Sequence, residues 1–304
     1  MKEIRDCSEK DEIVISDSTR RRAELLFAAV VIARSTSFLL TKIGLDSFDV
    51  FTMLAIRFLV AFLFLAVVFH RRFLGIRGKT LWYGFLLGAM LFAVMTAELL
   101  GLKTVSASET SLIENMAIVF VPLFESVLLH RRPKLMSIVC AVTAFIGVAF
   151  LTMKNGGSFS LSVGEIYCIL AALCYSSLLI LTNRLAQKDD PFILGILQVG
   201  FLGILALIAA FLFETPHLPT TGTDWAIILY LALVCTCFGF TLQPVAQRHM
   251  SSERAGLLTA LNPAFAAILS MIFLKEMLGV MGFIGAGLIL LAIRLPFFVK
   301  KKVE

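Results

Sequence analysis

Ten apolar stretches, each close to twenty residues long, follow one another along this chain and leave little else to fold. Their approximate bounds are 23–43, 50–69, 80–100, 107–128, 134–153, 164–186, 192–213, 225–247, 254–274 and 278–299. A helix rises ~1.5 Å per residue and the hydrocarbon core of a bilayer is ~30 Å thick, so each stretch is about the length of one spanning helix. Short polar or glycine-containing connectors make neighbours antiparallel: Asp46-Ser47, Gly75 to Gly78, Asn155-Gly156-Gly157 and Pro216 to Gly222. Composition agrees, with 59% hydrophobic and only 16% charged residues and a mean hydropathy of +0.93. Soluble domains carry about 25% charged residues. The expected class is an all-α integral membrane protein with ten transmembrane helices.

The basic residues test that count. With the N-terminus placed inside, 21 of the 27 Lys and Arg fall at inner ends, whereas the outer ends hold four, Lys42, Lys103, Lys154 and Lys275. Arg34 and Arg57 complete the set from within spans. This is the bias of the positive-inside rule, and it puts both termini on the cytoplasmic side of the cytoplasmic (cell) membrane. The net charge of +6 therefore reads as topology, and no nucleic-acid partner is expected. Residues 1–22 lack the apolar core of a cleaved export signal and read as a polar cytoplasmic tail ending in Arg20-Arg21-Arg22.

The chain also repeats. Displacing Ser106–Met136 by 145 positions lays it without a gap on Ser251–Met281, with identities at Ser106/Ser251, Leu112/Leu257, Phe120/Phe265, Leu129/Leu274 and Met136/Met281. Earlier in each half a displacement of 141 pairs Glu24/Glu165, Ser35/Ser176, Leu40/Leu181 and Thr41/Thr182. The repeats are 23–153 and 164–299, each with five segments. Five is odd, so the second repeat enters the membrane from the opposite side, an inverted arrangement common among secondary transporters.

Short motifs mark each half: SFLLTKIGL (Ser37–Leu45), LAIRF (Leu54–Phe58), GLKTVSAS (Gly101–Ser108) and VFVPL (Val119–Leu123) followed by Arg131-Arg132-Pro133 in the first, and LNPAFAAILSMIFLKE (Leu261–Glu276) in the second. In order, spacing and duplication they resemble the EamA-type permeases of the drug/metabolite transporter superfamily. That resemblance implies a ten-helix basket with a cavity lined by helices one, three, four, six, eight and nine, which moves small metabolites by alternating access, often outward. The chain departs from the family in places. Many relatives have Trp-Gly where Ala33-Arg34 stands, Arg131 sits where the repeat has Glu276, and Glu98, Glu109, Glu114 and Glu125 are not family markers.

Charges inside a bilayer are costly and normally face a partner or a watery path. Arg34 lies near the middle of the first span. Arg57, Glu98 and Glu114 share the outer halves of spans two, three and four. One reading is a structural ion-pair network in which Arg57 is the structural member. The other is a substrate-binding or coupling site made by Arg34 with Glu98 or Glu114. On a continuous helix Glu114 and Glu125, eleven residues apart, share one face and form a stripe ~16 Å long. Such a stripe is a candidate proton relay through Glu125, because a buried carboxyl can exchange protons near neutrality. Glu125 also lies near the inner end, where its side chain can snorkel to Arg131 or Arg132. In the second half the matching positions are milder: Tyr175 matches Arg34, Gln243-Pro244 ends span eight with Gln243 in the place of Glu98, and Asn262-Pro263 interrupts span nine. Each proline removes a backbone donor and can expose a carbonyl.

Other chemistries lack residues. The six cysteines are scattered, and Cys235 and Cys237 point to different faces of one helix. His130, His217 and His249 fall in loops or helix ends without metal-ligand spacing. No nucleophile motif or phosphate loop is present, so neither an enzyme, a metal nor a cofactor is expected. Gly282, Gly285, Ala286 and Gly287 form a small-residue seam in span ten that suits close helix packing, including a homodimer. The expected function is secondary transport of a small polar metabolite, such as an amino acid or related compound, with proton coupling. The alternatives are an uptake permease for a sugar or other metabolite, and a non-transporting membrane interaction protein.

Overall fold

The computed structural model describes residues 17–73, 76–128, 135–152, 162–249, 258–259, 261–275 and 279–300. Most of the tail, His130, Arg131, Arg132, Ser251 and Glu276 lie outside them. Every regular element among the described residues is helical: α1 (Asp17–Gly44), α2 (Val50–Val68), α3 (Gly78–Leu102), α4 (Ala107–Glu114), α5 (Ala117–Leu128), α6 (Leu135–Thr152), α7 (Val163–Ala186), α8 (Pro191–Phe213), α9 (Gly222–Tyr230), a π-helical run over Leu231–Phe240, α10 (Thr241–Gln247), α11 (Leu261–Phe273) and α12 (Val280–Lys300), with a 3₁₀ turn at His70–Phe73. Each of the ten apolar segments holds at least one of them, with 254–257 and 260 of the ninth outside the described residues. Among the described residues seven spans are long and apolar enough to cross a membrane, including Ala107–Val127 and Gly222–Gln247. The other three segments are α6, α11 and α12, the first and last with apolar runs Ile138–Phe150 and Val280–Ala292.

Packing follows the inverted repeat. α2 lies along its own counterpart α8, and α6 along its counterpart α12. The α3–α7 contact is mirrored by that of α1 with the π-helical run, and α5–α7 by α11–α1. Between α6 and α12 the backbones approach closely, since a Cβ on Gly147 would stand 2.9 Å from the Gly285 carbonyl oxygen and 2.8 Å from Ile289 Cγ1. Part of the span-ten seam is thus used inside the chain.

Local sequence sets the ends. Ser106 and Glu109, Ser162 and Glu165, and Thr221 and Asp224 each form a capping box, a side chain and a backbone amide satisfying each other at a helix start. Glu214, just after α8, accepts from the Phe51 and Thr52 amides at 2.9 and 2.8 Å and so caps α2 of the other repeat. A carboxylate there also meets the positive end of the helix dipole. Lys42 Nζ donates to the Leu102 and Val105 carbonyls at 2.5 and 2.8 Å, tying α1 to the end of α3.

Two spans are not continuous α-helix. The fourth breaks at Asn115-Met116, between α4 and α5, where Asn115 Nδ2 turns back to the Ser111 carbonyl at 2.7 Å. Pro122 sits inside α5. In the eighth, Pro244 has no N–H for the Phe240 carbonyl four residues back. Gln198 Nε2 from α8 donates to that carbonyl at 2.7 Å instead. The wide run immediately precedes this point. Such wide turns inside α-helices often mark functional positions.

Candidate substrate and coupling site

The polar residues of the first five segments meet those of the second at the level of the two breaks. At ~1.5 Å per residue, Arg34 lies ~15 Å from the end of α1, Glu98 ~6 Å from the end of α3, and Glu114 ~10 Å from the start of α4, all counted from the same face of the molecule. All three side chains are buried, Glu114 to 1% exposure, as are Tyr175, Gln243 and Asn262.

Arg34 is held by uncharged groups. Its Nη1 donates to the Tyr175 hydroxyl at 2.7 Å and to Gln243 Oε1 at 3.2 Å. Its Cζ lies 4.3 Å from the Phe240 ring centre and 5.2 Å from that of Tyr175. A desolvated cation over an aromatic face gains about 2 kcal/mol. Gly239 makes room for the arginine stem, because a Cβ there would come within 2.9 Å of Arg34 Cγ. Nε and Nη2 have no hydrogen-bond partner among the described residues. Next along α1, Ser35 Oγ stands 2.8 Å from Asn262 Oδ1, which brings span nine to the same level.

Glu98 and Glu114 lie within hydrogen-bonding reach of each other, and Oε2 of each is buried without a donor. A hydrogen bond between two carboxyl groups requires a proton on one of them. Two full charges ~4 Å apart would repel by about 4 kcal/mol even at an effective dielectric of ~20. The field of Arg34 reaches both carboxyls and that of Arg57 reaches Glu98, yet neither arginine forms an ion pair among the described residues. Arg57 instead donates from Nε to Thr236 Oγ1 of the π-helical run at 2.8 Å, with Nη2 buried and unpartnered. The run is held on both sides: Cys235 Sγ stands 3.3 Å from the Ala33 carbonyl and Cys237 Sγ 3.5 Å from that of Ala61.

Of the residues picked out in the sequence, Arg34, Glu98, Glu114, Tyr175 and Gln243 come together, and Asn262 joins through Ser35. Glu125 is on α5, half-buried, beyond the break, so the continuous-helix stripe from Glu114 is interrupted at Asn115. Gln198, Thr236, Gly239 and Phe240 were not singled out. Gln198 carried a signal, a lone amide in an otherwise apolar span, and it occupies the repeat position of Arg57 at the displacement of 141. The capping boxes also had one, the S/T-x-x-E/D spacing.

A second polar feature lies where α2, α7 and α10 end and α8 begins: a cavity of about 730 Å³ bordered by Arg72, Asp190, Phe192, Arg248 and His249. Arg72 Nη1 reaches Asp190 at 3.9 Å there. At the opposite face the repeat counterparts of Asp190 and Arg248, Asp49 and Lys103, pair at 3.4 Å.

An all-α bundle of two inverted five-helix repeats with buried charge at their junction is the build of a secondary carrier. The profile of the EamA-like transporter family matches residues 21–153 and 162–298, and the chain belongs to that family. An uncharacterized transporter of Archaeoglobus fulgidus is 26% identical over 274 residues, covering 90% of this chain and 85% of the relative. The uncharacterized transporter YetK of Bacillus subtilis is 23% identical over 292 residues, covering 92% and 88%. The threonine/homoserine exporter RhtA of Escherichia coli K12 is 26% identical over 219 residues, covering 70% and 68%. A solved crystal structure shares the fold with a TM-score of 0.68 at 18% identity, over 93% of this chain and 99% of that one.

Proposed function

We propose that this protein exports a small polar metabolite carrying both signs of charge, an amino acid or a related compound, across the cytoplasmic membrane by proton-coupled alternating access. It is a carrier and not an enzyme, and both termini face the cytoplasm. The observation that carries this reading is the state of Arg34: a buried guanidinium held by a phenol and an amide, with Nε and Nη2 unengaged among the described residues. A guanidinium presents paired N–H groups that match a carboxylate. A substrate carboxylate at Arg34 exchanges weak neutral partners for a charge-assisted pair. Tyr175 and Gln243 hold the arginine when the site is empty, and Glu98 and Glu114 face the substrate's cationic end. Asn262 positions α1 through Ser35, and Arg57 anchors α2 to the eighth span as a structural countercharge. The name of the RhtA relative, an exporter of threonine and homoserine, agrees with this substrate class.

The test is transport in proteoliposomes loaded with a mixed metabolite pool, read by mass spectrometry on both sides. Depletion of amino acids dependent on the protein is the expected result. Movement of sugars alone, or of no solute across a broad panel, contradicts it.

A further inference from the structure

We propose that Glu98 and Glu114 work as one site that holds a single shared proton when the carrier is empty and releases it to water when a substrate ammonium group binds. The proposal rests on the amino-acid reading above and adds the coupling step, its stoichiometry and its charge.

The geometry is that of a pair and not of two independent acids. The carboxyls come from different helices, α3 and α4, and meet each other in a site where Glu98 is 4% and Glu114 1% exposed. Among the described residues neither Oε2 has a donor, so the pair leaves two acceptor oxygens open. An ammonium group has three N–H donors and no acceptor, which suits those oxygens and the freed contact together. Because neither arginine is bonded to the carboxyls, they are not consumed by a salt bridge. The other groups facing them are Arg34 on α1, Arg57 on α2, and Cys168 and Tyr175 on α7; among these only the two arginines are cations.

The step balances simply. The O–H bond of the shared proton breaks and the proton leaves to water. The ammonium N–H groups then donate to the carboxylates, while the substrate carboxylate takes the free Nε and Nη2 of Arg34. With its proton the empty cluster holds two arginine charges against one carboxylate charge, a net of plus one. Loaded with a zwitterion and without the proton it is neutral. Each zwitterion carried outward is therefore matched by one proton, and one positive charge, carried inward. An interior-negative potential drives export as well as the pH gradient does.

Calorimetric binding of the twenty common amino acids to the purified protein, repeated in buffers of different ionisation enthalpy, counts the protons released. About one proton per bound amino acid is expected, because a coupled pair titrates as a unit. Glu98→Gln and Glu114→Gln should each bring the release close to zero, and the N-acetylated form of the best-bound amino acid should bind, if at all, without release. Binding to the wild-type protein with no proton release overturns this inference and leaves the amino-acid reading standing. Absence of binding across all twenty overturns both. Because the count on the wild-type protein decides the matter, a variant that fails to fold does not protect the proposal.

Discussion

The two repeats match position for position along the chain but fill the matched positions with different chemistry. At the matched sites the first repeat has Arg34, Arg57, Glu98, Glu114 and Glu125, where the second has Tyr175, Gln198, Gln243, Thr259 and Ser270. Charge is confined to one side and hydrogen-bonding neutrality to the other. In space the two sets interlock: Arg34 bonds its own counterpart, Tyr175, and the counterpart of Glu98, Gln243. The second half thus provides a weak neutral cradle for the charges of the first. A symmetric cluster would pair every arginine with a carboxylate and leave nothing for a substrate to compete with, since a buried ion pair is costly to break.

Breaking the charged side should have the largest effect. Arg34→Lys keeps the charge but loses the planar fork, and transport in proteoliposomes should fall ~30-fold or more, the scale of losing one partner of a buried charged hydrogen bond. Retention of more than half the wild-type rate would remove Arg34 from the site. Making the halves alike is the next test. Gln243→Glu puts a carboxylate at the place where Oε1 now sits 3.2 Å from Arg34, and should lower transport ~10-fold by occupying the arginine. Gly239→Ala intrudes on the Arg34 stem and should cost ~3- to 10-fold in rate at unchanged expression, of the order of forcing a packed side chain off its position. The smallest effect lies away from the cluster. Ser106→Ala removes one capping box and should cost ~1 kcal/mol of stability, seen as a lower melting temperature with the transport rate per folded molecule unchanged.

Much of the scaffold was legible because hydropathy reports axial position. The segments 50–69, 164–186 and 192–213 correspond to Val50–Val68, Val163–Ala186 and Pro191–Phe213. The repeat displacements also named Tyr175 and Gln243 as the counterparts of Arg34 and Glu98, and both turn out to bond Arg34. Direction around each helix was not. Reading 100° per residue through Asn115 assumes an unbroken ladder, and the break there uncouples the azimuth of Glu125 from that of Glu114. Pro244 signalled a distortion, but whether a freed carbonyl kinks the helix or is accompanied by a π-helical run depends on what lies across from it, here Gln198 and two arginines from other spans. For the same reason the sequence placed cations and anions together without indicating that Arg34 would bond a phenol and an amide while the carboxyls met each other.

The central claim is that the carboxyl pair couples solute movement to protons, and Glu114→Gln addresses it most directly. Amino-acid efflux would be measured from proteoliposomes with an imposed pH gradient and with the gradient collapsed. The account predicts that wild-type efflux against a concentration difference needs the gradient, and that Glu114→Gln loses this dependence while still exchanging solute downhill. Wild-type efflux that is unchanged when the gradient is collapsed, or a Glu114→Gln variant that still follows it, would contradict the account.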